Sequence, residues 1–322
     1  MLSTVVCSAP RGTQRDPERK ETTPSLAFGV LTFQALAYGE LRDDAQFAER
    51  IGLDAVWLAD QAVPDQLSIL EAWTALAALA VDTERIRIGT LVTNVGMRNP
   101  MILARQALTI DQISAGRLDV GIGAGYYADD HRWLGIDYLN GSGRVERLTE
   151  VAEVLDRALR GERVTLAGTH VRLDDAPSLQ PVQLPRPPIW IAVHGPTSLR
   201  LAARLADAAA AVGDEGVGME ETLPRFRERM KRLDGICEAQ GRDPRSLRRC
   251  YLAGFAEEYV FSSLESAADF IGCFAEAGAT DFVFGLSNPT QPAFESSAAS
   301  GQIATREKLE RLVADVLPNF RT

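Results

Sequence analysis

The stretch "IRIGTLVTNVGMRNPMILARQALTIDQISAGRLDVGIGAG", Ile86 to Gly125, contains one complete strand–helix–strand unit. Ile86–Val92 and Leu118–Ile122 are short apolar runs, the pattern of strands covered on both faces. Between them, Asn99-Pro100 supplies an N-cap and a first-turn proline. Leu103, Ala107 and Ile110 then fall on one helix face, and Gly116 stands where that helix stops. Two apolar strands joined by a helical crossover pair in parallel.

The same unit recurs on either side. Further strands are expected at Leu26–Leu31, Ala55–Ala59, Ile189–Val193, Asp207–Val212, Tyr251–Phe255 and Phe282–Leu286, which makes eight. The first seven lead into helical periodicity; the last leads into a polar loop and then Thr305 to Leu317. Val145, Leu148, Ala152, Leu155 and Leu159 step by three and four along one helix face. Ser262-x-x-Glu265 reads as a capping box, and Gly52 and Gly278 close two other helices. Eight such units in about 290 residues predict an α/β fold, a (β/α)8 TIM barrel. A doubly wound sheet is disfavoured because the first strand–helix corner, "GVLTFQALAYGE", lacks G-x-G-x-x-G.

One connection is longer than the rest. "GERVTLAGTHVRLDDAPSLQPVQLPRPP" contains a small hairpin, Val164–Leu166 with His170–Leu173, and then five prolines. We read it as an insertion before strand five. Residues 25–322 form a single barrel domain, and residues 1–24 are a disordered tail with little to bury.

Composition excludes several functions. Of 322 residues, 34 are Lys or Arg and 44 Asp or Glu, a net charge of −10. That argues against nucleic acid as a partner. The arginines between Arg225 and Arg232 alternate with Glu228 and read as a solvated helix face. Cys7, Cys237, Cys250 and Cys273 show no CxxC spacing, so neither a metal site nor a disulfide framework is expected. No apolar run approaches the ~20 residues of a membrane span, and the N-terminus lacks a signal-peptide pattern. The cytoplasm is the expected location.

In such a barrel, function gathers where strands end and strand–helix loops begin. Strand one ends at Thr32-Phe33-Gln34 and strand two at Asp60-Gln61, where an acid can serve chemistry or cap a backbone. Thr93, Asn94 and Gly96 crowd the end of strand three, either as a turn or as a bulge lining a pocket. Strand four ends in "GIGAGYY", whose alternate glycines suit close approach of a flat ligand or tight packing. After strand five, His194-Gly195-Pro196-Thr197-Ser198 forms an abrupt corner. It is either a plain cap by Thr197 or Ser198 or an anion cradle. Of the three histidines, only His194 sits at a strand end; His131 falls above the mouth and His170 in the hairpin. Neither a G-x-S-x-G elbow nor a nucleotide P-loop is present.

Ile86–Gly125, with "GLDAVWLAD", "PPIWIAVHGPTSLRLAARLADAA" and "EAGATDFVFGL" in the same order, resembles the bacterial luciferase-like monooxygenase superfamily. The likeness covers roughly residues 25–317 and is nearest to the deazaflavin (coenzyme F420) branch, with the flavin mononucleotide (FMN) branch close. It implies a barrel that transfers hydride between a flavin-type ring and a small organic substrate, some members then activating oxygen. Members are commonly homodimers. The cofactor-binding positions it implies are Thr32, Asp60, Gln61 and Asn94; Leu91-Val92, at a non-prolyl cis peptide behind the ring; Ala124 and Gly125, against the cofactor tail; and His194, Gly195, Pro196, Thr197 and Ser198, at its phosphate. Two positions depart from the pattern. Gln61 replaces a common histidine and cannot shuttle protons. Tyr126 stands where sugar-phosphate-oxidising members have a glutamate. No catalytic acid is assigned, and the alternative is a barrel that binds the cofactor as a carrier or sensor without turnover.

Overall fold

A computed structural model describes residues 25–34, 37–62, 69–287 and 295–321. The tail expected at 1–24 lies outside them. The strands are β1 (Ala27–Thr32), β2 (Ala55–Asp60), β3 (Arg87–Asn94), β4 (Leu118–Gly123), β5 (Val164–Ala167), β6 (Arg172–Ala176), β7 (Ile189–Ala192), β8 (Ala208–Val212), β9 (Arg248–Ala253) and β10 (Asp281–Leu286). The α-helices are α1 (Tyr38–Arg50), α2 (Ala72–Asp82), α3 (Pro100–Ile113), α4 (Ala128–Leu134), α5 (Gly141–Ala158), α6 (Pro196–Leu205), α7 (Met219–Ala239), α8 (Leu264–Glu276), α9 (Glu295–Ser300) and α10 (Arg306–Arg311). Eight strands close into a barrel in the order β1-β10-β9-β8-β7-β4-β3-β2, all neighbours parallel. This is a (β/α)8 TIM barrel, and the β5–β6 hairpin is inserted before its fifth strand.

Two apolar regions hold it together. The larger packs the outer strand faces against the helices. The smaller fills the barrel with Leu31, Trp57, Leu91, Trp190, Cys250 and Val283. The indoles of Trp57 and Trp190 lie 4.5 Å apart and cross the interior. The small residues of β8, Ala208 and Ala210, leave room for them.

Charge seals the base. Arg87 donates from Nε and Nη2 to Asp119 at 2.7 Å each, and Arg248 makes the corresponding fork to Asp281. All four residues stand at the N-terminal ends of their strands. Burial pushes the Asp119 carboxyl up, against the pull of Arg87 and a hydrogen bond from Trp190. With its base filled by ion pairs and tryptophans, the barrel has only its C-terminal end open to a ligand.

Three sequence expectations need correction. β9 begins at Arg248, not Tyr251, because an arginine paired with Asp281 at the rim of the base extends the strand without an apolar signal. The cap of α8 is Ser263, whose Oγ accepts from Ser266 N at 3.0 Å; Ser262 is taken up in the 3-10 turn Val260–Ser262. The second hairpin strand starts at Arg172, not His170. The Glu150 carboxylate captures the amides of Thr169, His170 and Val171 at 2.7–2.9 Å and holds them as a turn. Among the described residues, no helix is long and apolar enough to cross a membrane.

The base ion pairs yield a stability prediction. Asp119→Ala removes both charge-assisted bonds of the Arg87 guanidinium, which keeps the Leu118 carbonyl and Gln183 as acceptors, and we expect a loss of about 1.5–3 kcal/mol. Urea unfolding followed by circular dichroism checks this; a change below about 1 kcal/mol would show that the base does not depend on the pair.

Candidate functional site

The open end of the barrel is shaped by an irregularity in β3. Register shifts between Gly89 and Thr93 against β4, and the Leu91–Val92 peptide is cis. In a regular strand, neighbouring side chains point to opposite faces. Here both Leu91 and Val92 pack on the interior cluster. Thr93 accepts a 3.0 Å bond from Trp73 of α2 and donates to Thr90 at 3.0 Å, so it belongs to the outer face. With Phe33, Leu252 and Phe255, these residues give the mouth an apolar wall.

The glycines of strand four serve this bulge. A Cβ on Gly121 would lie 1.9 Å from the Thr90 carbonyl oxygen, and one on Gly123 would lie 2.7 Å from the Val92 side chain. The space they leave is occupied by β3, so close packing accounts for both. Gly125 has φ +84° and faces the Asn94 side chain, which a Cβ would meet at 2.4 Å. Ala124, beside it, is half-buried against the outer core.

The polar positions are already engaged. Asp60 is buried and forms an ion pair with Arg98, which also reaches Glu71 at 2.9 Å. Burial pushes the Asp60 carboxyl up and Arg98 pulls it back. Asn94 binds His131 Nε2 through Nδ2 at 3.1 Å and accepts from Gly96 N at 3.0 Å. His131 Nδ1 faces the Asp137 carbonyl at 2.9 Å, so that nitrogen carries the hydrogen and Nε2 accepts. Thr32 is fully buried on the opposite strand face from Leu31, and its hydroxyl has no hydrogen-bond partner among the described residues. Burial pushes the Tyr127 hydroxyl up, and the nearby Gln61 side chain pulls it partly back. Arg98, His131 and Tyr127 were missed as site residues. Each had a positional signal: Arg98 stands just ahead of the Asn99-Pro100 helix start, Tyr127 ends the strand-four glycine stretch and His131 falls above the mouth.

The corner at His194–Ser198 is half capped and half open. Ser198 Oγ accepts from His194 N at 3.0 Å and Gly195 N at 3.2 Å and donates to the Gly195 carbonyl at 3.0 Å. Gly195, the N-cap, has no side chain to return the bond. Pro196 has no N–H, and no acceptor among the described residues faces the amides of Thr197 or Ser198. Nothing in the backbone demands a glycine here: φ is −113°, and an added Cβ would meet no atom within 4 Å. The missing side chain leaves an empty cradle at the positive end of α6.

Facing this corner is α7. A cavity of about 660 Å³ lies between His194, Gly195 and Pro196 on one side and Arg225, Arg229 and Arg232 on the other. The arginine run is therefore only in part a solvated face, a correction to the sequence reading. Arg229 makes no hydrogen bond or ion pair among the described residues. His194 is exposed by area, yet the packing around its ring and then the Arg229 cation hold its pKa below the ordinary histidine value, with Asp214 opposing them. Among the described residues, no group of three or more His, Cys, Asp or Glu could hold a metal.

Two outcomes follow. Gly121→Ala must push a methyl into the β3 backbone, so we expect a loss of about 2–3 kcal/mol in chemical denaturation; an unchanged midpoint would contradict the packing role. In proton NMR, His194 titrates below the ordinary histidine value and moves upward when inorganic phosphate is added, because a bound anion favours imidazolium. No response to phosphate would mean that the corner does not take an anion.

The chain is 33% identical over 191 residues to an F420-dependent glucose-6-phosphate dehydrogenase of Microbacterium testaceum, covering 58% of this chain and 56% of that protein. It is 28% identical over 259 residues to a 5,10-methylenetetrahydromethanopterin reductase of Methanolobus tindarius, covering 80% and 74%. The solved F420-dependent tetrahydromethanopterin reductase of Methanopyrus kandleri superposes with a TM-score of 0.74 over 92% of this chain and 100% of that one, at 18% identity, a likeness of fold. The family model for luciferase-like monooxygenases matches residues 14–256, and the chain belongs to that family.

Proposed function

We propose that this protein is an oxidoreductase that holds a deazaflavin, coenzyme F420, in the barrel mouth and transfers hydride between it and a small organic substrate. FMN is the alternative cofactor. The observation that carries the reading is the corner of α6. It offers two amides with no acceptor among the described residues, an open cradle at Gly195 and, across a cavity, Arg229, which makes no ion pair among the described residues. That set of donors fits a phosphate. The F420-dependent relatives support the same cofactor class.

When bound, the ring supplies the hydride acceptor or donor. The protein's part is placement. The α6 amides and Arg229 anchor the phosphate, while Leu91 and Val92 offer an apolar wall that excludes water from one ring face. Asn94, fixed by His131, and Asp60, fixed by Arg98, stand at the ends of neighbouring strands as a pre-set polar rim. Gln61 can orient a polar group but cannot carry a proton. Tyr127, near Gln61 and half exposed, is the mouth hydroxyl best placed to donate a hydrogen bond to a substrate oxygen.

Spectroscopic titration of the purified protein with F420 and with FMN tests the reading. Binding of either with a change in ring absorbance or fluorescence, and steady consumption of the reduced form with a substrate, is the expected result. Gly195→Ala should keep the melting temperature and weaken the cofactor about tenfold, or about 1.4 kcal/mol, because its methyl occupies the cradle. Failure of both cofactors to bind would sink the proposal.

A further inference from the structure

Phe33 and Phe255 meet at the mouth on the side of the barrel opposite the bulge in β3. In the closed strand order, β9 stands four strands from β3 in either direction. Phe33, which follows β1, and Leu252 and Phe255, at the end of β9, all pack on the interior cluster and stay half-buried. The two phenyl rings lie 6.1 Å apart, tilted by 51°, within the range of an aromatic pair. β10 runs between β1 and β9. Its inward position at this level is Gly285, two residues beyond Val283 of the interior cluster. Ile303 fills the place a side chain would take: a Cβ on Gly285 would lie 2.9 Å from it, and one on Gly254 2.8 Å. No residue of this surface carries a charge.

The loop that holds Phe255 is fixed on both sides of it. Gly254, with φ +104°, turns the chain out of β9. Its amide donates to Glu258 Oε2 at 2.9 Å, and the Ala256 carbonyl accepts from Gln302 Nε2 at 2.8 Å. Glu258 is buried, and its other oxygen accepts from the Tyr251 hydroxyl. Tyr251 is itself packed edge-on against Phe226 of α7. The one carboxylate beside the surface is therefore spent on placing a phenyl ring.

We propose that Phe33 and Phe255 form the substrate side of the mouth and select an uncharged substrate with an apolar ring, in preference to a phosphorylated sugar. The inference rests on the place proposed above for the cofactor ring. Leu91 and Val92 back one face of that ring, and the phenyl pair stands across the mouth from them, so the substrate lies between. A phosphate brought there would give up its water without a counter-charge, because Arg98, at the end of β3, is already paired with Asp60 and Glu71. An apolar ring gains by removing both its own surface and the phenyl faces from water. Glu258 is a positioning residue that acts through Phe255.

The test is fluorine NMR on the full chain, with and without F420, using para-fluoroacetophenone as the probe and glucose 6-phosphate as the competitor. The probe line should broaden on addition of protein, and a large excess of the sugar phosphate should not restore it. Phe33→Ala and Phe255→Ala should each weaken the probe at least about tenfold while the circular dichroism stays unchanged. Glu258→Ala, which frees the Gly254 amide, should weaken it similarly, and Glu258→Gln, which keeps an acceptor for that amide, should restore most of the affinity. Absence of broadening, displacement by the sugar phosphate, or equal binding by both phenylalanine variants overturns the aromatic subsite, and a positive F420 titration then leaves the cofactor reading standing. Probe binding that depends on both rings in a protein that takes neither F420 nor FMN keeps the subsite and overturns the cofactor reading.

Discussion

The close approach of β3 to β4 is the contact on which the mouth of the barrel depends. The Thr90 carbonyl occupies the place where a side chain on Gly121 would begin. Only glycine permits that distance, and with it β3 can leave regular alternation. Leu91 and Val92 then both face inward, Thr93 turns out to Trp73, and Asn94 arrives beside His131. One missing Cβ thus sets both the apolar wall and part of the polar rim.

Charge is distributed with the same economy of position. At the base, arginines meet buried aspartates and close the barrel. At the mouth, Asp60 is matched by Arg98, so the acid helps to build the rim. Beside α6 the matching stops. Ser198 satisfies the two amides that precede the helix, Gly195 offers nothing to the next two, and Arg229 makes no ion pair among the described residues. Unfilled donors gathered on one cavity distinguish a binding corner from a finished helix cap.

Much of this was legible in the residues. Short apolar runs, helix-stopping glycines and Asn99-Pro100 are local signals, and they located all eight barrel strands. The errors were equally local in origin. Arg248 hid the start of β9 because its compensation by Asp281 lies 33 residues away. Glu150 reshaped the hairpin from a helix about 20 residues earlier. For Gly121 and Gly123 the residues left open close approach of a ligand or tight packing, and the neighbouring strand decides for packing.

By itself, the sequence determined the barrel, its insertion and the set of strand ends where chemistry could sit, because hydrophobic period and helix capping act over a few residues. Tertiary structure alone decided which strand-end residues are free and which are spent. Whether Asp60 meets Arg98, whether Asn94 meets His131, and whether the arginines of α7 face water or the α6 corner are matters of distance between segments far apart in the chain. Only closure of the barrel brings those groups within a few ångströms, and electrostatic and hydrogen-bonding partners are chosen at that range.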